Sequence, residues 1–167
     1  MLTVYLAGTM RPNPTSPTTQ SWRTALIKEL TKVAEEMNLL GDEKGQYHYL
    51  SEFLKCLCPV ASPEGGSVQT VTNYRTCQSD LGMVDEADLV VFYDGEGMSE
   101  GGLLEFGYTV GQGKPVWVWT KRHFLHPLKA GMARYIFTGV EALAKALVTL
   151  AVKKDELLAA YTQVYGQ

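Results

Sequence analysis

Ser99-Glu100-Gly101-Gly102-Leu103-Leu104-Glu105-Phe106-Gly107-Tyr108 lies between two apolar runs, Ala87-Asp88-Leu89-Val90-Val91-Phe92-Tyr93 before it and Val116-Trp117-Val118-Trp119 after it. Runs this short and this apolar read as strands covered on both faces, the signature of a parallel sheet. The stretch between them reads as a glycine-rich loop and a short helix, and Gly111-Gln112-Gly113-Lys114-Pro115 turns the chain into the second strand. Together they form one βαβ unit. Such units collect ligands at the carboxyl ends of their strands. Glu105 is a carboxylate inside an otherwise apolar helix start facing that edge, which makes it a candidate catalytic group.

Working outward, Thr3 to Ala7 is the expected first strand, and Gly8-Thr9-Met10-Arg11-Pro12-Asn13-Pro14 a turn-rich loop leaving its carboxyl end. Ser21 reads as an N-cap for a helix from Trp22 to Met37, whose apolar residues Trp22, Leu26, Leu30, Val33 and Met37 follow the helical period. Between Asn38 and Thr70 the pattern is broken by Gly41, Gly45, Pro59, Pro63, Gly65 and Gly66, and a second strand is expected around Phe53 to Val60. Val71 to Glu86 reads as a helix with Tyr74, Cys77, Leu81 and Val84 on one face. Lys121 to Tyr135 is a loop rich in Lys, Arg and His, with a short helix near Leu128 to Ala133. Ile136-Phe137 is a short fifth strand, and Thr138 or Gly139 starts a terminal helix reaching Val164. Strands alternating with helices predict an α/β fold: one flavodoxin-like (Rossmann-like) three-layer domain over residues 1–167, with a parallel sheet of about five strands.

A chain of 167 residues that is 46% hydrophobic supports one domain with a full core and is short for two. A net charge of -3 argues against binding a nucleic-acid polymer, while a local pocket for a monomeric nucleotide stays open. No apolar run approaches the ~20 residues of a membrane span, so no membrane partner is expected. The start, Met1-Leu2-Thr3-Val4-Tyr5-Leu6, reads as a strand rather than a signal peptide. Cys56, Cys58 and Cys77 make no disulfide framework, and a reducing cytoplasm is the expected setting. Cys56-Leu57-Cys58 lacks the usual metal-knuckle spacing and alternates across a strand, so no metal is expected and the thiols read as buried.

Val4-Tyr5-Leu6-Ala7-Gly8, then Asp80-Leu81-Gly82-Met83-Val84-Asp85-Glu86-Ala87-Asp88, then Gly101 to Tyr108, then Gly113-Lys114-Pro115-Val116, taken in that order, resemble the nucleoside 2-deoxyribosyltransferase superfamily. That group includes enzymes that exchange nucleobases and relatives that hydrolyse nucleoside 5′-monophosphates. The resemblance does not extend to residues 39–70 or to the terminal helix. It implies that Glu105 is the nucleophile, working as in a retaining glycosidase: the carboxylate captures C1′ as the N-glycosidic bond breaks. Amides of the helix N-terminus would favour its anion. Asp80 matches the second acid, which contacts the base and handles the leaving-group proton. Tyr5 matches the tyrosine that holds the nucleophile. Ala7 and Gly8 would leave room for the sugar, Ala7 lining its 2′ side, and Gly102 belongs to the matching loop. Asp88 is expected to shape the start of its strand, and Asp85 to lie on the exposed face.

Thr9, Arg11 and Ser99 bear on the branch. The hydrolases carry a Gly-Ser-x-Arg-like turn after the first strand and a serine six residues before the nucleophile. Here stand Gly8-Thr9-Met10-Arg11 and Ser99, with Arg11 suited to a phosphate. Transferases place an acid near Ser99 for the 5′-hydroxyl, and Glu100 could supply it. The resemblance therefore implies transfer of deoxyribose between nucleobases, with a 5′-monophosphate N-glycosidase as the alternative and a non-catalytic nucleotide-binding module as the more distant one. The expected partners are a small nucleoside or nucleotide and a free nucleobase. No metal or redox cofactor is called for. The resemblance also implies a homo-oligomer whose site is completed by a neighbouring subunit, with Tyr161 and Tyr165 available at the C-terminus. Trp22, Trp117 and Trp119 read as core residues.

Overall fold

The computed structural model of the chain describes residues 1–8, 21–37, 53–57, 70–95 and 100–165, with side chains at all of these except 21, 70–76 and 155–165. Five parallel strands form one sheet: β1 (Leu2–Gly8), β2 (Leu54–Leu57), β3 (Leu89–Asp94), β4 (Val116–Thr120) and β5 (Tyr135–Phe137). Among the described residues the helices are α1 (Ser21–Glu36), α2 (Thr70–Glu86), α3 (Glu100–Gly111), α4 (Pro127–Met132) and α5 (Val140–Tyr165). The strand order is β2-β1-β3-β4-β5. The expected α/β fold is therefore the observed one.

Residue alternation divides the interior into two cores. On one side of the sheet Leu2, Val4, Leu6, Leu89, Val91, Trp117 and Trp119 pack with Trp22, Leu26 and Leu30 of α1 and Leu143 and Leu147 of α5. On the other, Tyr5, Ala7, Val90, Phe92, Val116 and Val118 pack with Val84 of α2 and Phe106 of α3. Period-two side chains buried on both faces are what parallel strands require. The sheet first grows from β1 to β2, then reverses to β3 on the other flank of β1. With crossovers of one hand, that reversal puts α1 and α2 on opposite faces and opens a crevice between the carboxyl ends of β1 and β3.

Local chemistry fixes the ends of that crevice. Gly8 closes β1 at φ +137°, and a Cβ there would come 3.0 Å from the Tyr93 carbonyl oxygen and 3.3 Å from the Trp22 ring. Only glycine fits the conformation and the close approach. At the other end of the sheet, Gly113 turns with φ +71°, and the next residue, Lys114, donates to the carbonyls of Val84, Asp85 and Ala87. A cation therefore satisfies the carboxyl end of α2, where orphan carbonyls and the helix dipole both favour one. The Gly-Lys-Pro motif acts here as a structural joint. Asp88 shapes the approach to β3, accepting from the Thr3 amide at 2.8 Å and pairing with Lys154 at 2.6 Å. Asp85 lies exposed and accepts from Tyr108 and Gln112.

Several expectations need adjusting. Ser21 is the first residue of α1 rather than its cap, and β2 is described only from Leu54 to Leu57. The glycine-rich segment beginning at Glu100 is the first turn of α3, not a loop. Burial of Gly102, Glu105, Phe106 and Thr109 along one helix face outweighs the low helix propensity of the glycines. Cys77 is exposed and Cys56 half-buried, so these thiols are not core residues, and Cys58 lies outside the described residues. Of the predicted apolar face of α2, Val84 is buried, Leu81 only partly so and Cys77 exposed, while the side chain of Tyr74 lies outside the described residues. Trp117 and Trp119 are buried against the helices, as expected.

Candidate active site

Three predicted site residues converge on the α2–α3 side of β1. Tyr5 reaches in from β1 with no exposed surface, and Glu105 from the second turn of α3 is 8% exposed. Asp80, on α2, is half-buried. The Tyr5 hydroxyl and the Glu105 carboxyl lie close enough to shift each other's titration, and Asp80 shifts both. Even so, neither Tyr5 Oη nor Glu105 Oε2 has a partner of regular hydrogen-bond geometry. Buried polar atoms in this condition cost stability and are concentrated at functional sites.

The electrostatics divide the roles. Burial pushes the Glu105 carboxyl up to about 7; the Tyr5 hydroxyl and the Arg23 guanidinium pull it down, and the Asp80 carboxylate adds to the rise. Because Glu105 is the sixth residue of α3, it lies beyond the first turn, where the helix dipole is strongest. Desolvation, not the helix terminus, therefore sets its titration. Burial also raises Asp80, against the pull of Arg23. Tyr5 is driven far above the ordinary phenol range by burial and by the two carboxylates, so it stays a neutral hydroxyl able to donate to Glu105.

Arg23 was not singled out from the sequence. It is 5% exposed, stacks its guanidinium 4.3 Å over the Trp22 ring, and donates to the carbonyls of Leu6 at 3.1 Å and Gly8 at 3.4 Å. A signal was present: Arg23 stands three and seven residues before Leu26 and Leu30, at the head of the apolar stripe of α1. A charged residue in such a stripe needs internal partners.

A second polar cluster closes the neighbouring edge. Asp94, buried at the carboxyl end of β3, pairs with Lys129 of α4 at 2.5 Å, and Arg122 stands 4.0 Å from its other oxygen. Arg122 also donates to the Gly95 carbonyl at 2.8 Å. Lys129 lies 5.3 Å over the Phe92 ring, which in turn meets Phe106, the residue after Glu105. The Lys/Arg/His-rich segment thus anchors α4 beside the site.

Ala7 and Gly8 end β1 at the crevice. Gly102 is buried on the same helix as Glu105. Glu100 is exposed, and five helical residues turn it about 140° from Glu105, so the helix does not bring these two acids together. Thr9, Arg11 and Ser99 lie outside the described residues, as do the side chains of Tyr161 and Tyr165. No group of three or more metal-ligating side chains occurs among the described residues. No described helix is long and apolar enough to cross a membrane.

Comparisons with known proteins bear on the fold and the family. A search of curated proteins finds no sequence match. Among solved structures, the 2-deoxyribosyltransferase of Bacillus psychrosaccharolyticus is 15% identical and has a TM-score of 0.60, the match covering 85% of this chain and 90% of that one. The Clostridium botulinum CMP N-glycosidase BcmB is 14% identical with a TM-score of 0.45, over 90% of this chain and 98% of that one. The 2-deoxyribosyltransferase of Leishmania mexicana is 17% identical with a TM-score of 0.45, over 78% of this chain and 71% of that one. The first of these likenesses shows the shared fold. The family profile described as nucleoside 2-deoxyribosyltransferase matches residues 4–133, a span that holds Tyr5, Arg23, Asp80 and Glu105, and the chain belongs to that family.

Proposed function

We propose that the protein cleaves the N-glycosidic bond of a 2′-deoxyribonucleoside and passes the deoxyribosyl group to another nucleobase. The observation that carries this reading is the convergence of Tyr5, Asp80 and Glu105 in one largely buried site at the β1/β3 switch point.

In the first half-reaction a Glu105 carboxylate oxygen attacks C1′. The C1′–N bond breaks, and its electron pair leaves with the base, which takes a proton from the Asp80 carboxyl. In the second half-reaction a ring nitrogen of the incoming base attacks C1′. The ester electron pair returns to Glu105, and the incoming base gives its proton to Asp80. Burial raises the Asp80 carboxyl and so favours its protonated form, which suits Asp80 to this exchange. The neutral Tyr5 hydroxyl donates to the attacking carboxylate and fixes its aim. A nearly water-free Glu105 favours a base over water as the acceptor.

The test offers a deoxynucleoside with a second free base, and separately the 5′-monophosphate, and identifies the products. The expected result is a new deoxynucleoside in the first mixture. Free base from the monophosphate with no transfer product would assign the hydrolase branch instead. A 2′-fluorinated arabinosyl nucleoside should leave an adduct mapping to Glu105, because fluorine slows breakdown of the ester. An adduct at another residue would exclude this mechanism.

A further inference from the structure

Arg23 occupies a position that packing alone does not require. It comes from α1, on the opposite side of the sheet from Tyr5 and Phe106, and reaches over the carboxyl end of β1. The Thr3 carbonyl accepts from Asp88, next to β3, so by the two-residue period Leu6 and Gly8 turn their carbonyls towards β2. Among the described residues the β1–β2 pairing ends at Tyr5 and Leu57. The guanidinium takes the Leu6 and Gly8 carbonyls just past that point, spanning Ala7.

We propose that Arg23 is a positioning residue for the Glu105–Asp80 pair: its guanidinium pins the carboxyl end of β1 and sets a positive charge towards the buried Glu105 and the half-buried Asp80. This rests on the reading of Glu105 as nucleophile. Two acids crowded in low dielectric oppose each other's ionisation, and a nearby cation reverses that. Among the described residues, the groups that act on Glu105 are Tyr5 from β1, Asp80 from α2 and Arg23 from α1, and of these Arg23 is the cation. The charged residues Asp94 of β3 and Lys129 of α4 pair with each other. The fork geometry explains why arginine, rather than lysine, stands there: it can hold two carbonyls and still present its charge.

The experiment reads Glu105 directly, without activity. Protein carrying 13C-labelled glutamate is titrated by NMR, with the Glu105 carboxyl signal assigned by its loss in Glu105→Gln. Arg23→Gln should move the Glu105 midpoint upward by a resolvable fraction of a pH unit. Arg23→Lys should keep it close to wild type while lowering thermal stability, since charge is retained and the fork is lost. A folded Arg23→Gln with an unmoved midpoint overturns the proposal. So does an Arg23→Lys that shifts as far as Arg23→Gln, and so does unfolding of both variants, which assigns Arg23 to the fold alone. Should Arg23→Gln alone fail to fold, a wild-type-like midpoint in Arg23→Lys supports the proposal. Absence of transfer or hydrolysis in wild type would sink the functional reading without altering this titration.

Discussion

Glu105 is held in a condition that its neighbours only partly offset. Burial raises its carboxyl from an ordinary 4.5 to about 7, yet a nucleophile must be ionised. In the folded protein it keeps its proton over the range where the unfolded chain has lost it. Stability from this group is therefore present below about pH 4.5 and is lost as pH rises towards 7. Replacing the acid by its uncharged isostere should remove that cost. We expect Glu105→Gln to be more stable than wild type at pH 8, by about 1–3 kcal/mol or roughly 2–10 °C in Tm. The difference should shrink towards pH 5. The same variant should lose at least ~10³-fold in glycosidic turnover. Wild-type kcat/KM should fall below pH about 7, as Glu105 protonates. Calorimetry at the two pH values checks the stability prediction, and base release checks turnover; a folded Glu105→Gln with near wild-type turnover would sink the nucleophile. Glu105 stands out in the sequence as an acid at an apolar helix start, while Tyr5 is marked only by the resemblance to the family motifs. Arg23 carries only the weaker signal of a charge at the head of an apolar stripe, because the Leu6 and Gly8 carbonyls that it meets, 17 and 15 residues away, leave no side-chain pattern.

At the scale of elements, α4 shows how a short segment is fixed beside the site. Its six residues bury none of themselves, so apolar packing contributes little. Lys129 supplies the tether instead, meeting the buried Asp94 carboxylate across to β3. Removing one partner leaves a charge poorly compensated, with Arg122 at 4.0 Å as the remaining cation. Lys129→Ala should destabilise the protein by about 1–3 kcal/mol in urea unfolding. Adding Asp94→Asn should recover a good part of that loss, because the stranded charge goes with it. Equal stability of wild type and Lys129→Ala would show that the pair is only a surface contact. The short helix and its position were legible from the sequence, whereas its anchor depends on a residue 35 positions away. The first turn of α3 was misread for a related reason. Gly101 and Gly102 lower local helix propensity, and only the burial of the face they begin makes that turn helical.

Across the whole molecule the sheet separates two cores, and only one of them adjoins the site. Leu147 of α5 is fully buried on the far side, among Leu143, Val148 and the α1 residues. Leu147→Ala should lose about 2–5 kcal/mol of stability through transfer and cavity costs. Because it lies across the sheet from Glu105, it should leave the acid limb of kcat/KM unmoved at temperatures where it stays folded. A shifted limb would mean that the two cores are coupled through the sheet. By itself the sequence determined the α/β class and the parallel strands, and the family resemblance it carries marked Tyr5, Asp80 and Glu105 as candidates. Apolar runs, helical periods and motif residues are written locally along the chain. Tertiary structure alone decided the exposure of Cys77, the elevated titration of Glu105, and the convergence of a cation from α1 with acids from α2 and α3. Burial and electrostatic neighbourhood are properties of distances between remote segments, and those distances exist only once the sheet has reversed direction at β1 and brought them together.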